Sequence, residues 1–404
     1  MTYIEFFDKN ATDNICACLT QRPERVVMVG RDGKEMQRSV ASLKRVLNGR
    51  GLKTEFIIRT VNPNNLSTVV SRLEEIVEQY GDCVVDLTGG YDLYLVALGI
   101  VFNKRVDKKI ELIRFNVQSE RVYDCDGNGY PKLFDFPKLR VDENITAYGG
   151  EAVWTKWNDS EELFADIEAL WSICRRDVKK WNNLIAILEG AEQVSEADKP
   201  VETVARVSAM SAVTERLITK STIDFAILDE LREKGFVREY SYKDGTFRIK
   251  YKGAQVKRCL TKAGQVLEMK AYLSAIRATD EAGERVYNDV KNGVCIDWDG
   301  RDGENDTENE IDVMMMHGLI PVFVSCKNGF VSMDELYKLN TVAQRFGGTY
   351  AKKVLIASAL DLNGSFGRSF KMRADDMGIK VIANEIVNMT DEEINRKFRS
   401  FWNN

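Results

Sequence analysis

The chain has 404 residues, 44% of them hydrophobic, and a net charge of −5. That length suffices for roughly two or three domains with real cores, and the charge argues against a protein that coats nucleic acid by bulk attraction. The eight cysteines form no CxxC pair and His317 is the only histidine, which argues against a structural zinc site. No signal peptide is legible, and the longest apolar run, residues 93–102, is too short to span a bilayer. A reduced cytoplasm is the expected compartment.

In chain order, "RVVMVG" (25–30) reads as a buried strand and 33–49 as a helix ending near Gly51. "KTEFIIRTV" (53–61) reads as a strand, and 66–80 as a helix with Leu66, Val69, Val70, Leu73 and Ile76 on one face. "CVVDLTGG" (83–90) is a strand running into a glycine turn, followed by an apolar helix (91–104) and a strand (109–117). This alternation predicts an α/β domain with a parallel sheet, ending near residue 145. Ligands of such sheets bind at the carboxyl ends of the strands. The loops there are "GRDGKEM" (30–36), expected after the first strand, "NPNN" (62–65), after the second, and "DLTGG" (86–90). Thr88 offers a hydroxyl, and Gly89 and Gly90 let backbone N–H groups approach a phosphate. Neither GxGxxG nor GxxxxGK[ST] occurs, so an NAD fingerprint and a P-loop are unsupported.

Residues 158–190 and 200–219 read as two helices around a polar segment. Residues 225–253 read as a helix and two strands turning at Lys243-Asp244-Gly245, a winged-helix-like unit. The last domain begins near 256. Its helix 260–276 carries apolar Leu267, Tyr272, Leu273 and Ile276, with Glu268 among them in need of a partner. A strand edge at 294–300 precedes a hairpin over 309–329 with Gly318 in the turn. Period two places Glu310, Asp312 and Met314 on one face of its first strand. In the second strand Val324, Cys326 and Asn328 share one face, and Ser325 and Lys327 the other. A splay in the hairpin would bring Asp312 and Lys327 together.

That set suits metal-assisted phosphodiester hydrolysis. Carboxylates hold Mg²⁺ or Mn²⁺, the metal activates water, and a lysine orients the attacking water or stabilises developing charge. Cys326 reads as a small buried residue and His317 as a turn residue. The acid run 297–312 reads as a solvated loop, since Arg301 and Asp302 spoil an EF-hand pattern. After a helix over 336–348, Arg345, Lys352, Lys353, Arg368, Lys371 and Arg373 are candidates for a basic surface.

Glu268 on a helix, Asp312 on a strand and Lys327 ending the next strand resemble the PD-(D/E)xK nucleases. Ser325 departs from that pattern, standing where the family usually has a carboxylate. Glu268 or Glu310 is then the expected substitute ligand, with the Cys326 carbonyl completing the shell. Asp-Leu-Thr-Gly-Gly after a core strand resembles the CARF domains, which sense cyclic oligoadenylates made by type III CRISPR complexes. Together the two resemble the CRISPR ancillary CARF nucleases. The resemblance implies a CARF sensor (1–145), a helical and winged-helix-like connector (146–255) and a nuclease domain (256–404). It also implies a homodimer that binds cyclic tetraadenylate and cuts DNA (single-stranded, or nicked and supercoiled), RNA, or both. Gly30, Arg31, Asp32, Asn62, Asn65, Thr88, Gly89 and Gly90 would line the ligand pocket. The competing expectation is a ligand-responsive DNA-binding regulator whose nuclease fold is inactive because of Ser325.

Overall fold

A computed structural model of the chain describes residues 1–104, 107–127, 131–132, 136–299 and 308–403. Half of the acid run over 297–312, residues 300–307, lies outside them.

The first sheet is built from β1 (Thr2–Phe6), α1 (Ala11–Gln21), β2 (Arg25–Gly30), α2 (Gly33–Gly49), β3 (Glu55–Thr60), α3 (Leu66–Tyr80), β4 (Cys83–Asp86), α4 (Asp92–Lys104), β5 (Ile110–Asn116), β6 (Arg121–Asp124) and β7 (Pro131–Lys132). The strand order is β3-β2-β1-β4-β5-β6-β7, and β1 to β5 are parallel. The expected first strand is therefore the second. β1 occupies the centre, and the loops at 30–36, 62–65 and 86–90 follow β2, β3 and β4. Both faces of β1 are covered: Tyr3 packs in one apolar cluster, Ile4 and Phe6 in the other. The order reverses between β1 and β4, which is where a crevice opens in such sheets.

The middle of the chain departs from the expected pair of long helices. After α5 (Val141–Ala147) and β8 (Glu151–Trp154), residues 158–190 divide into α6 (Glu161–Cys174) and α7 (Val178–Gln193). The Asp177 side chain accepts from Lys180 N–H and restarts the helix. Residues 200–219 begin as a strand, β9 (Glu202–Arg206), before α8 (Val207–Thr214). With α9 (Phe225–Glu233), β10 (Val237–Lys243) and β11 (Thr246–Tyr251), β9 completes a three-stranded sheet of order β10-β11-β9. The turn at Asp244-Gly245 has positive φ at both residues, as a tight two-residue hairpin demands.

The third sheet has the order β16-β15-β14-β13-β12-β8. Its elements are α10 (Ala254–Thr261), α11 (Gln265–Arg277), β12 (Asp289–Asp297), β13 (Glu308–His317), β14 (Ile320–Lys327), α12 (Met333–Gly347), β15 (Lys352–Ala357), α13 (Ser365–Asp376), β16 (Ile379–Ile382) and α14 (Asp391–Arg399). The edge strand β8 comes from the stretch expected to be connector. One apolar cluster runs from α6 and α7 through α11 into β13, β14 and β15, so connector and third sheet share a core. Among the described residues no helix is long and apolar enough to cross a membrane.

Candidate functional site

Two sites sit at sheet ends. At the first sheet a cavity of about 530 Å³ opens over β1, β2 and β4, with Asp8, Lys9, Arg31, Asp32, Gly90 and Tyr91 in its walls. Asp8 and Lys9 escaped the sequence reading because β1 did; the signal available was the short "TYIEFF" run. Asp32 caps α2, accepting from Lys34 and Glu35 N–H. Asn62 and Asn65 are not in these walls. Asn62 accepts from Asn64 N–H at 3.1 Å, and Asn65 caps α3 by accepting from Thr68 N–H at 3.0 Å. Gly30 has no room for a side chain, since a Cβ would lie 2.7 Å from Met36 Sδ. Gly89 and Gly90 press against β1. A Cβ at Gly90 would lie 2.4 Å from Phe6 Cβ, and its φ of +97° suits glycine alone.

Thr88 is committed to its own loop. Its N–H donates to Asp86 Oδ1 at 2.8 Å, its hydroxyl donates to the same oxygen, and Phe115 N–H donates to Thr88 Oγ1 at 2.9 Å. Asp86 thus sets the turn that presents Gly89 and Gly90. Beneath this turn Asp86 lies beside Glu5, its register partner across the parallel pair β1–β4. Both are buried, and Asp86 Oδ2 and both Glu5 carboxyl oxygens have no hydrogen-bond partner. Burial pushes Asp86 up to about 7, against the pull of the Thr88 hydrogen bonds. Burial and the Asp86 charge raise Glu5 well above the carboxylate range. Asp13 is pushed up to about 6 by burial, opposed by hydrogen bonds from Asn10 and Tyr350.

The second site lies where β13 and β14 part. Their pairing runs from His317↔Ile320 to Val313↔Val324 and then stops. Beyond it the Asp312 carboxylate inserts between the strands, where Oδ2 accepts from Cys326 N–H at 2.6 Å and from Ser325 Oγ at 3.3 Å. So Ser325 faces the acid it was expected to accompany. The strict period-two reading of β13 fails here. Met314 and Ile311 pack in one core and Val313 in the other, so Met314 does not share the face of Glu310. The face changes opposite Gly293, whose φ is +57°.

On α11 the buried Glu268 accepts from Gln265 Nε2 at 2.9 Å. Burial, then the charge of Asp312, push its carboxyl up to about 8, with Lys262 pulling the other way. Lys262, unforeseen, reaches both acids: its Nζ is 3.0 Å from Glu310 and 3.9 Å from Glu268. Burial also raises Asp312, against the Lys327 charge and the Cys326 N–H. Lys327 pairs with Glu335 of α12 at 3.1 Å. Burial works against its charge, but Asp312 and Glu335 more than offset it and its pKa rises. The Cys326 thiol is buried, pushed far up by desolvation and the neighbouring acids, and unsuited to be a nucleophile. Glu268, Glu310, Asp312, Lys262 and Lys327 thus form one electrostatic unit.

Among the described residues no three His, Cys, Asp or Glu side chains converge as a metal cluster. Glu268 and Asp312, the first of which feels the charge of the second, are nonetheless fitting donors for Mg²⁺ or Mn²⁺, since Mg²⁺ is commonly held by one or two carboxylates with water completing the shell.

Other sequence candidates are structural. His317 Nδ1 lies 2.6 Å from the Val286 carbonyl and the ring stacks on Trp402. Arg345 donates to the Tyr148 carbonyl at 2.7 Å, and Lys353 donates to Asn340 and the Met377 carbonyl. Lys371 pairs with Asp375. Of the residues expected to form a basic surface, these three are held by partners, while Arg368 and Arg373 are exposed.

The link between connector and site is specific. Asn182 of α7 donates to the Asn328 carbonyl, and Asn328 Nδ2 donates back to Asn182 Oδ1 at 2.9 Å. Ser358 holds the same residue, its hydroxyl donating to Asn328 Oδ1 at 2.7 Å.

No family model and no curated protein matches the chain. Solved structures do. Protein VC1899 from Vibrio cholerae superposes with a TM-score of 0.74 at 16% identity, over 100% of this chain and 99% of that one. Can2 from Sulfobacillus thermosulfidooxidans, solved in complex with cyclic tetra-adenylate, gives 0.69 at 16% identity over the same shares. The chain shares the overall α/β fold of these two structures. The structure of a type III CRISPR defence DNA nuclease activated by cyclic oligoadenylate superposes with a TM-score of 0.52 at 14% identity, over 98% of this chain and 52% of that one.

Proposed function

We propose that this protein is a CRISPR ancillary nuclease, switched on by a cyclic oligoadenylate and dependent on a divalent metal. The observation that carries the reading is the convergence of Glu268, Asp312 and Lys327 at the parted end of β13 and β14. Glu268 and Asp312 would hold Mg²⁺ or Mn²⁺. When bound, such a metal supplies a water of lowered pKa and screens the phosphate. Lys327, fixed by Glu335, stabilises charge on the phosphoryl oxygens in a partly desolvated site, where that contact is strongest. Glu310 and Lys262 balance the charge beside it. Ser325 holds Asp312 rather than a metal.

At the sensor end, Lys9 and Arg31 supply cations, and the Gly89-Gly90 turn supplies backbone N–H groups, for the phosphates of cyclic tetraadenylate. The full-length fold shared with Can2 in its complex with that ligand supports this assignment. Leu95, Val96 and Phe102 expose an apolar stripe on α4. A twofold axis along that stripe would pair two pockets around one symmetric ring, giving a homodimer.

The test is cleavage of supercoiled plasmid, single-stranded DNA and RNA with Mn²⁺, with and without cyclic tetraadenylate, by wild type and Lys327→Ala. Ligand-dependent cutting by wild type alone is expected, with ligand affinity equal in both proteins. Ligand binding without any cutting would favour the regulator instead, with Ser325 as the inactivating departure.

A further inference from the structure

Beside the nuclease site stands an aromatic pair that the proposed chemistry does not use. Phe330 is 86% exposed and Phe366 43% exposed. Their rings stack at 6.2 Å with an interplanar angle of 24°. Buried Phe370 supports Phe366 from below at 5.8 Å. A groove of about 310 Å³ runs along the pair, bounded by Leu360, Asp361 and Gly364.

Topology fixes where this pair points. β14 and β15 are parallel, with Lys327 opposite Ala357. The loops leaving their carboxyl ends, one carrying Phe330 and the other leading to Phe366, emerge on the side of the sheet where Lys327 ends its strand. The loops are tied together: Ser358 N–H donates to the Lys327 carbonyl at 3.0 Å, and the Ser358 hydroxyl to Asn328. Gly367 locks the second loop, since a Cβ there would lie 1.9 Å from the Asp361 carbonyl oxygen. Exposed Arg368 follows on the same helix, its side chain reaching back to the Asn363 carbonyl.

We infer that Phe330 and Phe366 form a stacking platform for an unpaired nucleobase of the substrate strand next to the scissile phosphate. Exposed apolar side chains that adjoin one another, as these stacked rings do, mark an interaction site more than single ones do. Every base has a π-face, so stacking on an aromatic ring is strong and tolerant of sequence. A duplex keeps its bases stacked on one another, so the platform selects single strands or frayed and nicked ends. Asp361, already holding Asn363 N–H at 2.9 Å, adds negative charge on the groove side and steers the phosphates towards Lys327 and Arg368.

This inference rests on the nuclease reading, and the experiment separates the two. Binding of fluorescent oligo-dT, oligo-rU and a blunt duplex is measured by anisotropy in the Lys327→Ala protein with cyclic tetraadenylate. Phe330→Ala and Phe366→Ala are then added singly and together. Either single change is expected to weaken single-strand binding about tenfold or more, with Phe330→Trp restoring it. Duplex affinity and cyclic-tetraadenylate affinity should stay as they were. The dT and rU arms show which polymer the platform prefers. Equal single-strand affinity in the double alanine protein overturns the platform while leaving the nuclease reading intact. A shift in oligomeric state on removing the rings overturns it in favour of a protein contact. If the parent protein binds no nucleic acid, the nuclease reading itself fails.

Discussion

The buried pair Glu5–Asp86 makes a prediction about stability that needs no substrate. Asp86 rises from the ordinary 3.8 to about 7 through burial. Between those values the folded chain holds a proton that the unfolded chain has released, so folding takes up a proton and stability falls as pH rises. The slope is about −1.4 kcal/mol per pH unit, and across a window of about three units it sums to about 4 kcal/mol. Asp86→Asn removes this term. The amide oxygen can still accept from Thr88, and the new nitrogen can donate towards the unpartnered Glu5 oxygens. Wild type and variant should therefore differ little near pH 4. The variant should gain steadily up to about pH 7, and the gap should level off above it. Urea unfolding followed by tryptophan fluorescence at pH 4.5, 6, 7 and 8.5, with activator absent, measures the gap. A difference that does not change with pH would refute the reasoning, because it would mean that Asp86 is charged in the folded protein throughout.

Asp312→Ala should lose Mn²⁺ binding and cleavage together, with titration calorimetry as the readout; unchanged binding would move the metal elsewhere. Thr88→Glu should abolish activation, because it breaks the hydrogen bonds to Asp86 and Phe115 and adds negative charge beside the pocket. Any weak activator-free nicking should persist, and normal response to low cyclic tetraadenylate would exclude this pocket as the sensor. Gly90→Ala should destabilise the protein by about 1–3 kcal/mol through its positive φ and weaken activator binding as Phe6 is displaced. Thermal melting with and without ligand reports both effects.

Much of this was legible in the sequence because it is local. The α2, α3 and α4 helices and the strands between them follow from period, and Gly51 and Gly81 mark the ends of α2 and α3. The order Glu268, Asp312, Lys327 survives in the fold because each residue sits on an element with a clear signature. What escaped depends on distant partners. β1 is short, and its Glu5 interrupts the apolar run that marks a buried strand, so only its neighbours β2 and β4 reveal it. Lys262 and Glu335 carry no motif, and their place follows from α10 leading into α11 and from α12 packing on β14. The change of face at Asp312 depends on Gly293, on the neighbouring strand. The split of 158–190 at Asp177 was readable as an N-cap, but continuous helical periodicity on both sides concealed it.

The edge strand β8 bears on how such chains can be recombined. Residues 151–154 follow α5 and complete the third sheet against β12, more than a hundred residues further along. A crossover at 256 would separate the third sheet from its own border strand and leave the β12 edge open to pair with other chains. A seam placed before residue 151 keeps β8 with the third sheet, but it still cuts the apolar cluster in which α1 and α2 pack with β12 to β15 and α12. Divisibility in this architecture is set by the hydrogen-bond ladder and by the shared cores, not by the order of the chain.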